Sequence, residues 1–316
     1  MYRFHLIVGS RPNMIVRDHL PWIRVWPAVS RRLGVLFFFD ATIAALYSFA
    51  GAKFLAVPEL PLGMMGGAIS VFLAFRTNSA YDRWWEARIL WGGLVNFSRT
   101  FARQVLTMFE PGLDNRESVR VVERRLVLYM IAFTCALRCH LRGQNPFPEL
   151  NGILGPSTTD SLRSHANVPA AILLQMGADL RVAYQRGWID SFRWTSFDRS
   201  LTELSNIQGA CERIKNTPLP RQYDFLPRLL VGFFCMLLPF GLVEGLGLLT
   251  PIASTMIGFI FVALDSVGRE IENPFENTVH DTPMTSLSRT IEINLRQHLG
   301  DAFTPRDVKP VEGFVY

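Results

Sequence analysis

The sequence predicts an all-α integral membrane protein, with two apolar helical hairpins on either side of a large, water-facing helical region. Three observations carry that reading. Of the 316 residues 49% are apolar and 12% aromatic, and the mean hydropathy is positive. The apolar residues gather in two blocks, Leu33 to Phe75 and Leu226 to Val267, and the stretch between them is rich in Arg and Glu at helical spacing. No segment alternates apolar and polar residues as a half-buried strand would.

The first span is expected over Gly34 to Val57, interrupted by Asp40 and Lys53. An ionised group at the centre of a bilayer costs roughly 2.5–3.5 kcal/mol on insertion scales, so Asp40 should face protein or water. Lys53, near the outer end, can snorkel. Leu60 to Phe75 gives only about 24 Å of helix, short for a hydrocarbon core of about 30 Å. The missing length comes from continuing without a turn signal into Arg76-Thr77-Asn78-Ser79-Ala80-Tyr81-Asp82-Arg83-Trp84-Trp85. Taken from Gly67 at about 100° per residue, Met64, Gly67, Val71, Phe75, Asn78, Asp82 and Trp85 fall in one stripe roughly 80° wide. It is small or apolar above and polar below, as copies of one helix around an aqueous path would require.

Helical spacing resumes from Glu86 to about Phe109 through Leu90, Leu94, Phe97, Phe101 and Val105, and Pro111-Gly112 ends it. Arg120 to Leu141 is a second amphipathic helix whose apolar part, Leu126 to Leu137, is too short to span and reads as a buried cytoplasmic helix. Pro146 to Pro156 reads as a loop. Asn167-Val168-Pro169 opens a helix that runs to Gln185, and Asp198 to Lys215 forms another. After the Asn216 to Pro220 break come the third span, Leu226 to Val243 with a kink at Pro239, an outer turn at Gly245-Leu246-Gly247, and the fourth span, Ile252 to Leu264. That last helix continues toward Asp265, Glu270 and Glu272 and stops at Asn273-Pro274-Phe275. The boundaries implied are 1–33, 34–82, 83–225, 226–268 and 269–316.

The formal net charge is +5, and its placement matters more than its size. Arg3, Arg11, Arg17, Arg24, Arg31 and Arg32 precede the first block and Arg76, Arg83, Arg88, Arg99 and Arg103 follow it, while the tip between holds only Glu59. By the positive-inside rule, both ends of that hairpin face the cytoplasm and its tip faces outward, and the second block, with Arg228 and Arg269 on the inner side and an uncharged tip near Gly247 to Pro251, repeats the logic. Cations that border apolar blocks rather than form a basic face exclude nucleic acid as a partner. No cleavable signal precedes Arg17. Cys135, Cys139, Cys211 and Cys235 lack Cys-x-x-Cys pairing and read as reduced core residues, so no metal site is expected. The six histidines occur singly, with no His-Glu-x-x-His, P-loop or nucleophile elbow, so neither an enzyme nor a cofactor is expected.

The run Phe75 to Arg88 with Leu90-Trp91-Gly92 resembles the bacterial branch of the bestrophin family. Three stretches match in order: Arg11 to Trp22, Ile214 to Pro220, and Ile271-Glu272-Asn273-Pro274-Phe275 followed by Ser288-Arg289-Thr290-Ile291-Glu292. The resemblance implies a homopentameric ion channel in the lipid bilayer of a bacterial inner membrane, with four spans per subunit, both termini cytosolic and a central pore for small monovalent ions. It places a neck of three apolar rings at Gly67, Val71 and Phe75, and a second, cytosolic aperture at Leu219. Gly67 departs from the bulky residue usual at the first ring, so either the constriction is wider there or Met64 supplies the bulk. Animal members carry an acidic calcium clasp after the Asn-Pro-Phe turn. Here Glu276 to Asp281 holds two acids, too few for the six or more oxygens calcium commonly takes.

An apolar ring narrower than a hydrated ion gates by excluding water, which makes Val71 and Phe75 the gate candidates. Asn78, Asp82 and Glu86 are the selectivity candidates. A ring of Asp82 copies below Phe75 favours cations such as sodium; against this stand neutralisation of Asp82 by Arg83 or Arg76, or its use in an intersubunit salt bridge. The resemblance implies small monovalent cations for bacterial members and chloride for animal members, so it does not by itself settle the ion, and an anion channel is the alternative. A secondary carrier is a lesser one, since the inverted repeats of carriers are not evident. Trp84 and Trp85 serve as interfacial anchors or, more in keeping with their pattern, pack in the core. Asp265 and Glu272, two turns apart, bind a cation, cap a subunit contact, or form a solvated face.

Overall fold

The computed structural model describes residues 22–57, 60–110, 112, 116–302 and 305–308. Arg3, Arg11 to Pro21, Glu59 and Pro111 lie outside them. Among the described residues the chain is helical with no strand: α1 (Trp22–Phe49), α2 (Leu62–Met108), α3 (Arg116–Arg142), α4 (Phe147–Leu154), α5 (Pro156–Leu162), α6 (Val168–Gln185), α7 (Ser191–Asn216), α8 (Arg221–Leu246), α9 (Thr250–Ile271) and α10 (Met284–His298). The chain divides into two compact units, one from Leu20–Ala87 and Ile214–Pro274, the other from Arg88–Arg213 and Phe275–Tyr316.

In the first unit α1, α8 and α9 pack on one another and on the first part of α2, around Ile69, Leu73, Phe234, Leu238 and Phe261. Glycines let the helices approach closely. A Cβ at Gly66 would sit 3.3 Å from the Phe234 ring, and one at Gly268 3.3 Å from the Thr77 hydroxyl. Asp40 is only 1% exposed, so it faces protein. α1 stops at Phe49 rather than Val57 because the chain turns at Gly51, whose φ of +68° suits glycine. A short 3-10 turn, Lys53–Leu55, follows, with the Lys53 ammonium 4.1 Å above the Tyr47 ring. α8 runs through both Pro227 and Pro239 and closes at Gly247, φ +51°, where a turn is expected.

Two stretches are long and apolar enough to cross a membrane: Ser30–Phe49, and one inside Ser191–Ile271, the segment holding α8 and α9. Much of this unit's outer surface is apolar, with Phe38 73%, Phe49 79% and Phe54 83% exposed. A soluble monomer rarely shows so much apolar surface; lipid or another protein copy covers such faces.

The second unit is built around α3. From Leu126 to Cys139 every side chain but Leu128 is buried, with α4, α6 and α10 packed against the helix. The run is therefore an internal helix, in keeping with its length. α6 begins where expected, Asn167 capping it by accepting the Ala170 N–H at 3.1 Å. α7 begins earlier than expected, at Ser191, because the Asp190 carboxylate accepts the Arg193 N–H at 2.8 Å. The expected loop from Pro146 to Pro156 instead forms α4 and α5. Proline breaks a helix interior but suits its first turn, where no N–H is needed; Pro156 opens α5, and Asn145 accepts the Phe147 N–H at the start of α4.

Phe101, Phe109 and Phe197 meet edge to face, with centroids 6.0 and 5.9 Å apart. Phe197 is fully buried at their centre. Phe197→Ala should lower stability by about 3–5 kcal/mol, read as a marked fall in the thermal midpoint of helical circular dichroism.

Candidate functional site: the exposed face of α2 and its anchor

α2 has 47 residues without a proline, about 70 Å of helix. Over its first part, two opposite faces differ sharply. Ile69, Leu73, Arg76, Ala80 and Ala87 are buried. On the other side every member of the predicted stripe is exposed: Met64 at 81%, Val71 at 54%, Phe75 at 61%, Trp85 at 49%, with Gly67, Asn78 and Asp82 also open. A Cβ at Gly67 would meet nothing within 4 Å, so packing inside the subunit does not require glycine there. Met64, about one turn before it, is exposed on the same face.

The buried face is held by charge. Arg76 is 1% exposed, and its guanidinium donates through Nη1 to Asp265 Oδ1 at 2.7 Å and to the Asp265 carbonyl at 3.2 Å. Through Nη2 it reaches Asp224 Oδ1 at 2.8 Å and Glu272 Oε2 at 3.4 Å. Arg269 donates to the other oxygen of Asp265, with Arg32 3.9 Å from that oxygen, and Arg228 pairs with Asp224 at 2.8 Å. Four cations thus surround three carboxylates. Asp265 and Glu272 are therefore neither a solvated helix face nor a free cation site; they compensate a buried arginine.

Arg83, about two turns below Arg76 along α2, ties three carbonyls. Its Nε donates to Glu272 O at 2.9 Å, its Nη1 to Thr217 O at 2.5 Å, and its Nη2 to Ile214 O. It thereby fixes the link between α7 and α8 two residues before Leu219, which is itself half-buried. Neither Arg76 nor Arg83 is paired with Asp82, and no ion pair to Asp82 is found among the described residues. Glu86 is half-buried and engaged with a neighbour.

Trp84 and Trp85 do not pack in this subunit's core. Trp84 is half-buried, and Trp85 stands on the exposed face with its ring parallel to Tyr81, centroids 6.3 Å apart. After the Asn-Pro-Phe turn, the Asp281 carboxylate accepts both the N–H and the hydroxyl of Thr278.

An all-helical chain with exposed apolar spans, and with one long helix apolar and then polar along a single open face, has the build of a membrane channel subunit. The profile described as "Bacterial/Fungal Bestrophin protein" matches residues 7–297, and the chain belongs to the bestrophin family of ion channels. It is 35% identical over 297 residues to a voltage-dependent anion channel-forming protein of Ralstonia nicotianae, covering 91% of this chain and 95% of that one. It is 34% identical over 311 residues to the voltage-dependent anion channel-forming protein YneE of Escherichia coli, covering 94% and 98%. Among solved structures, a bacterial bestrophin homologue from Klebsiella pneumoniae superposes with a TM-score of 0.79 at 30% identity, over 86% of this chain and 98% of that one.

Removing one partner of a buried ion pair leaves the other charge uncompensated, at a cost of about 3–5 kcal/mol. Arg76→Gln takes away the donor that the Asp224, Asp265 and Glu272 carboxylates share and should therefore lower the thermal midpoint sharply. If Arg76→Gln melts like the parent protein, the cluster does not hold the helix.

Proposed function

We propose that copies of this chain, five as the family resemblance implies, assemble in a bacterial inner membrane so that the exposed face of α2 lines a central pore. The observation that carries this reading is the coincidence of that face with the stripe marked by periodicity: Gly67, Val71 and Phe75 as a neck, then Asn78 and Asp82. Each subunit contributes four spans, with both termini in the cytoplasm, and Leu219 rings the inner exit. The neck gates by dewetting: apolar side chains facing one another exclude water, and a small widening restores it.

The ion is a small monovalent anion such as chloride in this reading, which follows the names of the relatives from Ralstonia and Escherichia. Asn78 suits it, because its amide NH2 donates to anions as its carbonyl accepts from cations. The cation preference inferred from the sequence is the second reading. It is favoured by one observation, the exposed Asp82 without an ion pair among the described residues, whose copies would make an acidic ring.

Purified protein in planar bilayers should show discrete conductance steps. Phe75→Ala should raise open probability severalfold, because the apolar plug is lost; unchanged gating would exclude Phe75 from the neck. In asymmetric sodium chloride the wild-type reversal potential should lie toward that of chloride, and Asp82→Asn should move it further that way. Reversal near the sodium potential would overturn the anion reading in favour of the second.

A further inference from the structure

Away from the α2 face, α3 and α4 bring together three side chains of metal-binding type. Cys135 and Cys139 are one helical turn apart on α3, so both thiols point the same way, and Glu149 of α4 reaches them. Their three donor atoms lie within 4.8 Å of one another, with Cys135 Sγ 3.2 Å from Glu149 Oε2. A tetrahedral zinc ion, with Zn–S of about 2.3 Å and Zn–O of about 2.1 Å, needs donors about 3.6–3.8 Å apart. Small side-chain rotations close that difference.

We propose that Cys135, Cys139 and Glu149 bind one thiophilic divalent cation of the zinc type, leaving its fourth position to water. Softness favours this class: two thiolates and one carboxylate suit zinc rather than magnesium or calcium. Charge favours it as well. Two thiolates and a carboxylate carry −3, and the ion at +2 with the buried Arg138 guanidinium at +1 offsets them, with Arg142 a further cation near by. Arg138 is already placed for an outer-shell role: its Nη2 donates to Glu149 and lies 3.8 and 3.6 Å from the two sulfurs. Such contacts orient ligands and stabilise thiolates.

The hydrogen bond between the two thiols holds the shared proton on Cys135, whose thiol is pushed above its ordinary range, and together with the nearby Arg138 it draws the Cys139 thiol below its own. Arg138 likewise outweighs burial in holding Glu149 ionised. On binding, the thiol protons leave to solvent as the sulfur–metal bonds form, with no change of oxidation state. Access is through Glu149, whose side chain is 51% exposed although both cysteines are buried.

The test uses the full chain purified in detergent, reduced and stripped of metal, and titrated with Co2+ as the optical probe. A thiolate-to-cobalt charge-transfer band and tetrahedral visible bands should appear, saturate at one ion per chain, and vanish when Zn2+ is added. The band should persist in Cys211→Ser/Cys235→Ser and disappear in Cys139→Ser. Glu149→Gln should weaken Co2+ binding by at least the ~10-fold that loss of an outer-shell partner costs. No band in the wild-type protein overturns the proposal, as does a band abolished by Cys211→Ser/Cys235→Ser. The wild-type titration decides even if Cys139→Ser fails to fold.

Discussion

The guanidinium of Arg76 is the constraint around which the first unit is arranged. Arginine cannot shed its proton, so once buried it must be surrounded by acceptors, and here they come from α8 through Asp224 and from α9 and the residue after it through Asp265 and Glu272. The arrangement fixes which side of α2 is inside. Phe75 is its sequence neighbour, about 100° round the helix, and so is turned outward together with Val71 and Asn78. The same charge that would be ruinous in lipid thus sets the orientation of the presented face.

Much of this was legible in the sequence where the signal is local. The stripe from Met64 to Trp85 follows from the helical repeat alone, and the Asn167 cap and the burial of Leu126 to Leu137 follow from local chemistry and length. What was missed depends on distance or on position within a turn. The partners of Arg76 are 148 to 196 residues away, so Asp265 and Glu272 looked like a free acidic face. Pro146 and Pro156 looked like breakers because a proline's role depends on whether a helix begins or continues there. Cys135 and Cys139 are free and buried, as core residues would be; that they lie side by side follows from their spacing of four on a helix. Glu149, from another helix, carries no local signal.

The choice of ion illustrates the same limit. Asp82 is a nearby charge on the right face, and reading it alone gives a cation. The potential in a pore is the sum over all charges, including the arginine excess around Asp224 and Asp265 and whatever adjoining copies contribute. A single carboxylate is therefore a weaker guide to selectivity than to position, and the relatives' names point the other way.

The prolines of α8 bear on where this bundle yields under load. Each removes one amide donor and leaves a carbonyl of the preceding turn without its helical partner, that of Tyr223 for Pro227 and that of Cys235 for Pro239. Flexure is cheapest at such points. α2 has no proline, so of these two helices α8 is the one that bends more readily, at a point only three residues from Asp224, while the longer rod keeps its pitch.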